Sequence, residues 1–248
     1  MSIILSQNDP MASEVREYPV VEPSENRIDE NDYFQYQKPW EGLFVRLCIA
    51  ARRQMIDHFV SGLHPGEQTR VLDVGITSHA REDSNFFVKW YPYPGRLTCV
   101  GLDSSNRIKQ LFPHLRYVQI APGPLPFQDK AFDIGVSSAV IEHVGDRKAQ
   151  RDHIRELLRV CRNIFVTTPN CYFPIEPHTM LPLLHYLPAP LWRKTLNILR
   201  RQFYASEEKL NPLSANQLQN LFPKEANLSI KKVRLLGLPT NLVAVASW

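Results

Sequence analysis

The sequence predicts a doubly wound α/β fold on a mostly parallel, seven-stranded sheet, with a cap inserted after the fifth strand. Three observations carry this. Five short runs are apolar almost throughout, the sign of strands buried on both faces of a parallel sheet. Helix-like segments fit between them, giving the alternation of a doubly wound sheet. A long segment rich in proline, histidine and aromatics then interrupts the alternation. The chain has 248 residues, 44% hydrophobic and 22% charged. That suits one α/β domain with additions.

Residues 1–38 are polar, acidic and without periodicity. They are expected to form a flexible or loosely docked arm, with residues 39–248 as the domain. From Trp40 to Leu63, Leu43, Phe44, Leu47, Ala50, Ala51, Ile56 and Phe59 recur at helical spacing. "HPGE" then breaks the helix. The strand-like runs are "RVLDVG" (70–75), "RLTCVGLD" (96–103), "RYVQIA" (116–121), "FDIGVSSA" (132–139) and "NIFVTTP" (163–169). Helices are expected at Ser84–Trp90, Asn106–Phe112 and Arg147–Cys161. The last carries Ile154, Leu157, Leu158 and Cys161 on one stripe. Two closing runs, "LSIKKVRLLGL" and "NLVAVASW", predict an antiparallel hairpin turning around "PT". The interrupting segment, about residues 169–212, is too long for an ordinary connection. It leaves the carboxyl end of the fifth strand, where open sheets bind ligands, so it is read as a cap over a substrate.

Charge is uneven. Residues 1–32 hold eight acids and two bases, so the rest carries +10 of a chain whose net charge is +4. A basic body suits an anionic substrate or surface, and scattered solvated lysines and arginines account for it equally well. No nucleic-acid module is present in the pattern. "APLWRKTLNILRRQF" (189–203) interleaves basic residues with Leu191, Trp192, Leu196 and Leu199. It is read as a plain amphipathic helix, with weak membrane-surface contact as the alternative. No apolar run reaches the roughly 18–20 residues of a membrane span, and the start has no basic n-region, so a cytoplasmic protein is expected. Cys48, Cys99, Cys161 and Cys171 make no C-x-x-C pair. No metal site is expected, because His178 and His185 have no third ligand at a helpful spacing. The oligomeric state has no signal in the pattern.

The chemistry begins at strand ends. Asp73 closes the first strand, and Gly75 lets the backbone turn close to a ligand. Asp103 closes the second in "VGLDSS", where an acid can accept hydrogen bonds from ribose hydroxyls. The ordered pair points to an adenosine-containing cofactor. "LPFQDKAFDIGVSSAVIEHV" (125–144) follows. With these three pieces the chain resembles a class I S-adenosylmethionine-dependent methyltransferase of the small-molecule, type 11-like kind. Leu125, Pro126, Phe127, Asp129, Phe132, Asp133, Glu142, His143 and Val144 match that family's motif in order, and the resemblance covers roughly residues 68 to 170.

The resemblance implies a Rossmann-like fold and S-adenosyl-L-methionine as cofactor, with a small-molecule methyl acceptor. It implies that Asp73, Gly75, Thr77 and Ser78 face the methionine part. Asp103 would take the ribose hydroxyls, with Ser104 near the adenine. Backbone groups near Ala121 would read the adenine, and Ser138 and Ala139 would line the sulfonium end. Asp129 and Asp133 are expected to be structural.

The chain departs from the family twice. "GITSHA" replaces a loop with further glycines, and "IAPGPLPF" has no acid where members often meet the adenine amino group. The missing acid removes a hydrogen bond worth about 0.5–1.5 kcal/mol. Both departures motivate an alternative, a catalytically inactive methyltransferase-like binding or regulatory protein. A nicotinamide-dependent oxidoreductase is the remote rival, lacking its G-x-G-x-x-G.

On the acceptor side, His143 follows the fourth strand and has the titration range of a general base. His178 in the cap is the second candidate base. Glu176 and His178 stand two residues apart in "IEPHT" and are expected, with His185 and Tyr186, to contact substrate. Glu142 either orients His143 or faces solvent. The phrases "YFPIEPHT", "LPLLHYLP" and "SNFFVKWYPYPGRLT" resemble a bacterial subset of these enzymes, and that resemblance, not the residue chemistry, implies a sugar or glycan-precursor hydroxyl as acceptor.

Overall fold

The computed structural model describes residues 41–79 and 81–248. The expectation for the arm at residues 1–38 lies outside the described residues.

The chain opens with helix α1 (Glu41–Leu63), followed by β1 (Val71–Val74), α2 (Phe86–Trp90), β2 (Leu97–Gly101), α3 (Ser105–Leu111) and β3 (Arg116–Gln119). Then come β4 (Phe132–Ser138), α4 (Arg147–Val160) and β5 (Cys161–Pro169). The next segment holds two short strands, β6 (Ile175–Glu176) and β7 (Leu181–Pro182), and helix α5 (Ala189–Ile198). Helix α6 (Ala215–Gln219) and the strands β8 (Asn227–Leu235) and β9 (Leu238–Ser247) close the chain.

Seven strands form one sheet in the order β3-β2-β1-β4-β5-β9-β8. β1 to β5 are parallel, and β9 runs antiparallel between β5 and β8. The strand order reverses at β1 and β4, so their carboxyl ends flank the crevice in which such sheets bind ligands. β1 and β2 are buried along their whole length, as their nearly continuous apolar runs predict.

Each face of the sheet has its own core. On one, Ile154, Leu157 and Leu158 of α4 pack with Leu72, Val100 and Val166. On the other, Phe59 of α1 meets Phe87 of α2 and Phe165 of β5 edge-to-face, with ring centroids 4.8 and 5.3 Å apart. Each aromatic pair adds about 0.5–1.5 kcal/mol beyond the area that it buries. Helix α4 starts at Asp146, whose side chain accepts from Ala149 N at 2.8 Å. It stops one residue short of expectation, and Cys161 opens β5 with no intervening loop.

Two local readings are corrected. The closing hairpin turns at Leu236 and Gly237, both with positive φ, and not around Pro239 and Thr240. Pro239 sits inside β9, beside a register shift between Val233 and Arg234 that tolerates a residue without an N–H. Helix α6 went unread, although Ser214 and Gln217 form a full capping box at its start.

The segment between β5 and α6 carries a small core of its own, Trp192, Leu196, Tyr204 and Leu210. Its far end is tied to the turn after β4. Asn211 N donates to Glu142 O at 2.7 Å, Asn211 Nδ2 to Gly145 O at 3.0 Å, and Arg147 to Pro212 O at 2.9 Å. Leu191, Ile198 and Leu199 on and beside α5 remain exposed. Among the described residues no helix is long and apolar enough to cross a membrane. All four cysteines are free thiols.

Candidate active site

The described residues enclose a cavity of ≈ 2530 Å³ over the carboxyl ends of β1, β2 and β4. Small-ligand sites usually measure about 300–1,000 Å³, so this one has room for two reactants. Asp73, Gly75, Thr77, Asp103, Ser104, Ala121, Ser138, Ala139, His143 and His178 all line it.

The loop after β1 is held without further glycines. Gly75 N and Ile76 N both donate to Val100 O of β2. Gly75 itself is required, since it has φ +103° and an added Cβ would lie 2.2 Å from Val140 Cγ2. Asn85 clamps Thr77 from both sides, accepting from its N at 3.1 Å and donating to its O at 2.8 Å. Ser78 donates to Asp103 Oδ2 through its backbone N at 2.5 Å and its hydroxyl at 2.7 Å. Further along, Asp83 pairs with Arg52 of α1 and with Arg81. Burial opposes the charge on Asp83, but the two guanidinium groups hold its carboxyl below the ordinary range.

Asp73 is 6% exposed and has no hydrogen-bond partner for its carboxyl among the described residues. Burial pushes it up to about 7. A buried carboxyl in that condition favours a cationic group beside it. The ammonium of a methionine moiety would meet that demand. Asp103 uses one oxygen on Ser78, which leaves the other for ribose hydroxyls. The residues present therefore fit S-adenosyl-L-methionine. Ser138 Oγ is 2.7 Å from Thr167 Oγ1. Ala139 takes φ +55° with its N on Thr167 O at 2.9 Å, a constraint of the kind that collects at functional sites.

On the opposite wall two histidines meet. His143 Nε2 and His178 Nε2 are 3.2 Å apart. His143 Nδ1 lies 2.6 Å from the Lys209 carbonyl, and His178 Nδ1 lies 2.7 Å from Glu176 Oε1. Glu176 also accepts from Thr179 N at 2.6 Å. Burial, then the neighbouring His178, push His143 down to about 3. Burial would likewise depress His178, but the Glu176 carboxylate and then Glu142 raise it above the ordinary histidine range. Burial opposes ionisation of Glu176 as well, and the charge and hydrogen bonds of His178 reverse this and lower its pKa. Glu142 is 1% exposed and accepts from Thr168 Oγ1 at 3.0 Å, and burial raises it to about 7.

Several side chains sit apart from where the sequence suggested. Ser78 is turned onto Asp103 and does not line the cavity. Glu176 lies behind His178, and so acts on the cavity only through that ring. His185 Nε2 is tied to Phe173 O at 2.9 Å and Tyr186 to Tyr172 O at 2.7 Å, both off the cavity wall. Glu142 neither faces solvent nor touches His143 Nδ1, which the Lys209 carbonyl occupies. Asp133 accepts from Arg70 N at 2.9 Å and Asp129 pairs with Arg159 at 2.8 Å, both structural. Sequence reasoning missed Asn85, Thr167 and Lys209. A polar residue just ahead of "FFVKW" was the available sign for Asn85; the other two have no local signal.

Residues 84–164 match the family model described as a methyltransferase domain. No curated protein matches the chain in sequence. Among solved structures, an S-adenosylmethionine-dependent methyltransferase from Methanosarcina mazei is 16% identical, covers 76% of this chain and 96% of its own, and has a TM-score of 0.48. A Rhodobacter sphaeroides protein described as a candidate zinc-dependent alcohol dehydrogenase is 12% identical over 77% of this chain and 88% of its own, with a TM-score of 0.52. An S-adenosylmethionine-dependent methyltransferase from Mesorhizobium loti is 12% identical over 73% and 91%, with a TM-score of 0.45. At these identities the likeness is one of fold.

Proposed function

Because this chain carries a class I S-adenosylmethionine-dependent methyltransferase domain, with S-adenosyl-L-methionine as cofactor, we propose that it methylates a hydroxyl oxygen of a small molecule held under the cap. A sugar or glycan-precursor hydroxyl is the class to test first, in the cytoplasm. One observation carries the reading: a single cavity joins Asp73 and Asp103 to the His143–His178 pair.

Asp73 would hold the ammonium of the methionine part and Asp103 the ribose hydroxyls, with Thr77, Ser104, Ala121, Ser138 and Ala139 closing around them. Ser78 would act by fixing Asp103. When bound, the cofactor supplies an electrophilic methyl: the acceptor oxygen bonds to its carbon as the carbon–sulfur bond breaks, the electron pair passing to sulfur. The chain's own work is to align the reactants and exclude water. A hydroxyl acceptor must also lose a proton. His178 has the greater proton affinity of the two histidines, with Glu176 fixing its ring as a positioning residue. His143 has too low an affinity to accept that proton.

The test has two parts. Calorimetry with S-adenosylhomocysteine should give saturable binding, and no binding at millimolar ligand would overturn the reading. Labelled methyl should then pass to a hydroxyl acceptor, and His178→Gln should lower kcat about 10²–10⁴-fold with S-adenosylhomocysteine affinity unchanged. Binding without transfer to any acceptor would favour the inactive binding protein.

A further inference from the structure

The two histidines that face the acceptor side direct the same kind of atom at each other. A carbonyl oxygen only accepts, so the 2.6 Å contact with Lys209 O places a hydrogen on Nδ1 of His143. The 2.7 Å contact with the Glu176 carboxylate does the same for Nδ1 of His178. With both rings neutral, each presents an Nε2 lone pair, and the two Nε2 atoms are 3.2 Å apart. Two acceptors at that distance repel unless something positive lies between them.

Glu142 makes the same demand from the third side. It is 1% exposed, its Oε2 accepts from Thr168, and its Oε1 has no hydrogen-bond partner among the described residues. Ligand atoms of Glu142, His143 and His178 all lie within 4.8 Å of one another. One shared proton would satisfy the histidines and leave the buried Oε1 orphaned. A divalent cation satisfies all three.

The spacing agrees. A tetrahedral site with arms of about 2.0–2.1 Å has edges of about 3.3–3.4 Å, close to the 3.2 Å between the nitrogens. The surroundings agree too. Imidazoles that bind metals give their other N–H to a carbonyl or carboxylate, and bound carboxylates are themselves hydrogen-bonded. Lys209 O, Glu176 and Thr168 fill those places.

We propose that Glu142, His143 and His178 form a binding site for a divalent transition cation of the zinc class, with an open fourth position toward the cavity that both histidines line. Two imidazoles and one carboxylate favour zinc, cobalt or nickel over magnesium or calcium. The site stands on its own geometry. Its use rests on the methyl-transfer reading: the acceptor hydroxyl takes the open position, where the cation lowers its pKa and its proton leaves to water. The cation then replaces His178 as the means of deprotonation.

The test uses the full chain, stripped with a chelator and titrated with Co²⁺ followed by absorbance, and with Zn²⁺ by calorimetry. We expect one equivalent of either ion, d–d bands of low-coordinate cobalt, and no response to Mg²⁺. His178→Gln and Glu142→Gln should each weaken the site at least 100-fold, and Glu176→Gln about 10–100-fold. Unchanged S-adenosylhomocysteine affinity shows that each variant has folded. Absence of stoichiometric Co²⁺ binding by a folded wild type overturns the site, as does full affinity in His178→Gln. Methyl transfer that survives stripping leaves the methyl-transfer reading intact and removes the cation from it. A cation that binds stoichiometrically and restores transfer after stripping supports both.

Discussion

Asp73 and Asp103 stand at or just past the ends of two paired strands, and Ser78 of the loop after β1 donates to Asp103 across 25 residues. On the cap side, His143 meets His178 across 35 residues and the Lys209 carbonyl across 66. The first wall is made by strand ends that any doubly wound sheet brings together. The second exists only because a long insertion folds back and docks on the turn after β4. On the proposed reading, the cofactor wall belongs to the fold and the acceptor wall to this chain. Substitutions on either wall should leave ligand binding at the other intact, and that separation can be tested.

The largest effect is expected at the hinge of the cofactor wall. Gly75→Ala places a Cβ against Val140 at a φ of +103°. Backbone strain and overpacking together should cost about 2–4 kcal/mol. Chemical denaturation would measure this, and a cost below about 0.5 kcal/mol would show that the loop can relax.

Asp83 ties α1 to the same loop. Removing its charge in Asp83→Asn leaves Arg52 and Arg81 facing a neutral amide, a loss of about 1–3 kcal/mol after allowance for the partly exposed guanidinium groups. The folded pKa lies below the ordinary value of 3.8. The stability that it confers is therefore complete above that value and fades as pH falls below it. Wild-type unfolding free energy should converge on that of the variant between pH 4 and the acid limit, and parallel profiles would refute the pairing.

Binding comes next. Asp103→Ala should weaken S-adenosylhomocysteine at least tenfold, or about 1.4 kcal/mol, through loss of a ribose partner and of the clamp on Ser78. Co²⁺ titration of the cap-side cluster should be unaffected. A smaller effect is expected from Asp73, which burial raises to about 7. A ligand ammonium pairs with the ionised form. S-adenosylhomocysteine affinity should therefore rise severalfold from pH 6 to pH 8 and level off above, because the free carboxyl must first lose its proton. Asp73→Asn should flatten the profile and weaken binding. A wild type with no pH dependence would place the ammonium elsewhere.

The same contrast explains what could be read in advance. Asp73, Gly75 and Asp103 were legible because strand ends and glycine turns leave marks within a few residues. So were all five parallel strands, whose runs are mostly apolar. The replacement for the missing glycines was barely legible: Asn85 holds Thr77 from eight residues away, and a polar residue just ahead of "FFVKW" is its only mark. His143 and His178 could be suspected one at a time, but their meeting depends on where the insertion docks. His178 and His185, the pair that metal spacing would suggest, do not meet; the partners that do are spread over β4's turn and the cap. Local pattern carries no record of such a contact.

The closing hairpin was misread for the opposite reason, a local residue that contradicts its own turn. Leu235 pairs with Leu238, so Leu236 and Gly237 form a two-residue loop, with φ of 50° and 81°. Turns with both φ values positive suit the right-handed twist of a hairpin and favour Asn-Gly. Leucine there pays for a left-handed backbone, and its side chain is 95% exposed with little packing in return. Leu236→Asn keeps the turn and relieves that strain, so it should stabilise the protein by about 0.5–1 kcal/mol. In a domain of this size that raises Tm by about 1–4 °C. Leu236 borders the cavity, so the same variant sharpens the contrast between walls: S-adenosylhomocysteine affinity should stay at its wild-type value while Tm climbs. A lower Tm would mean that the leucine is held by contacts worth more than the strain of its backbone.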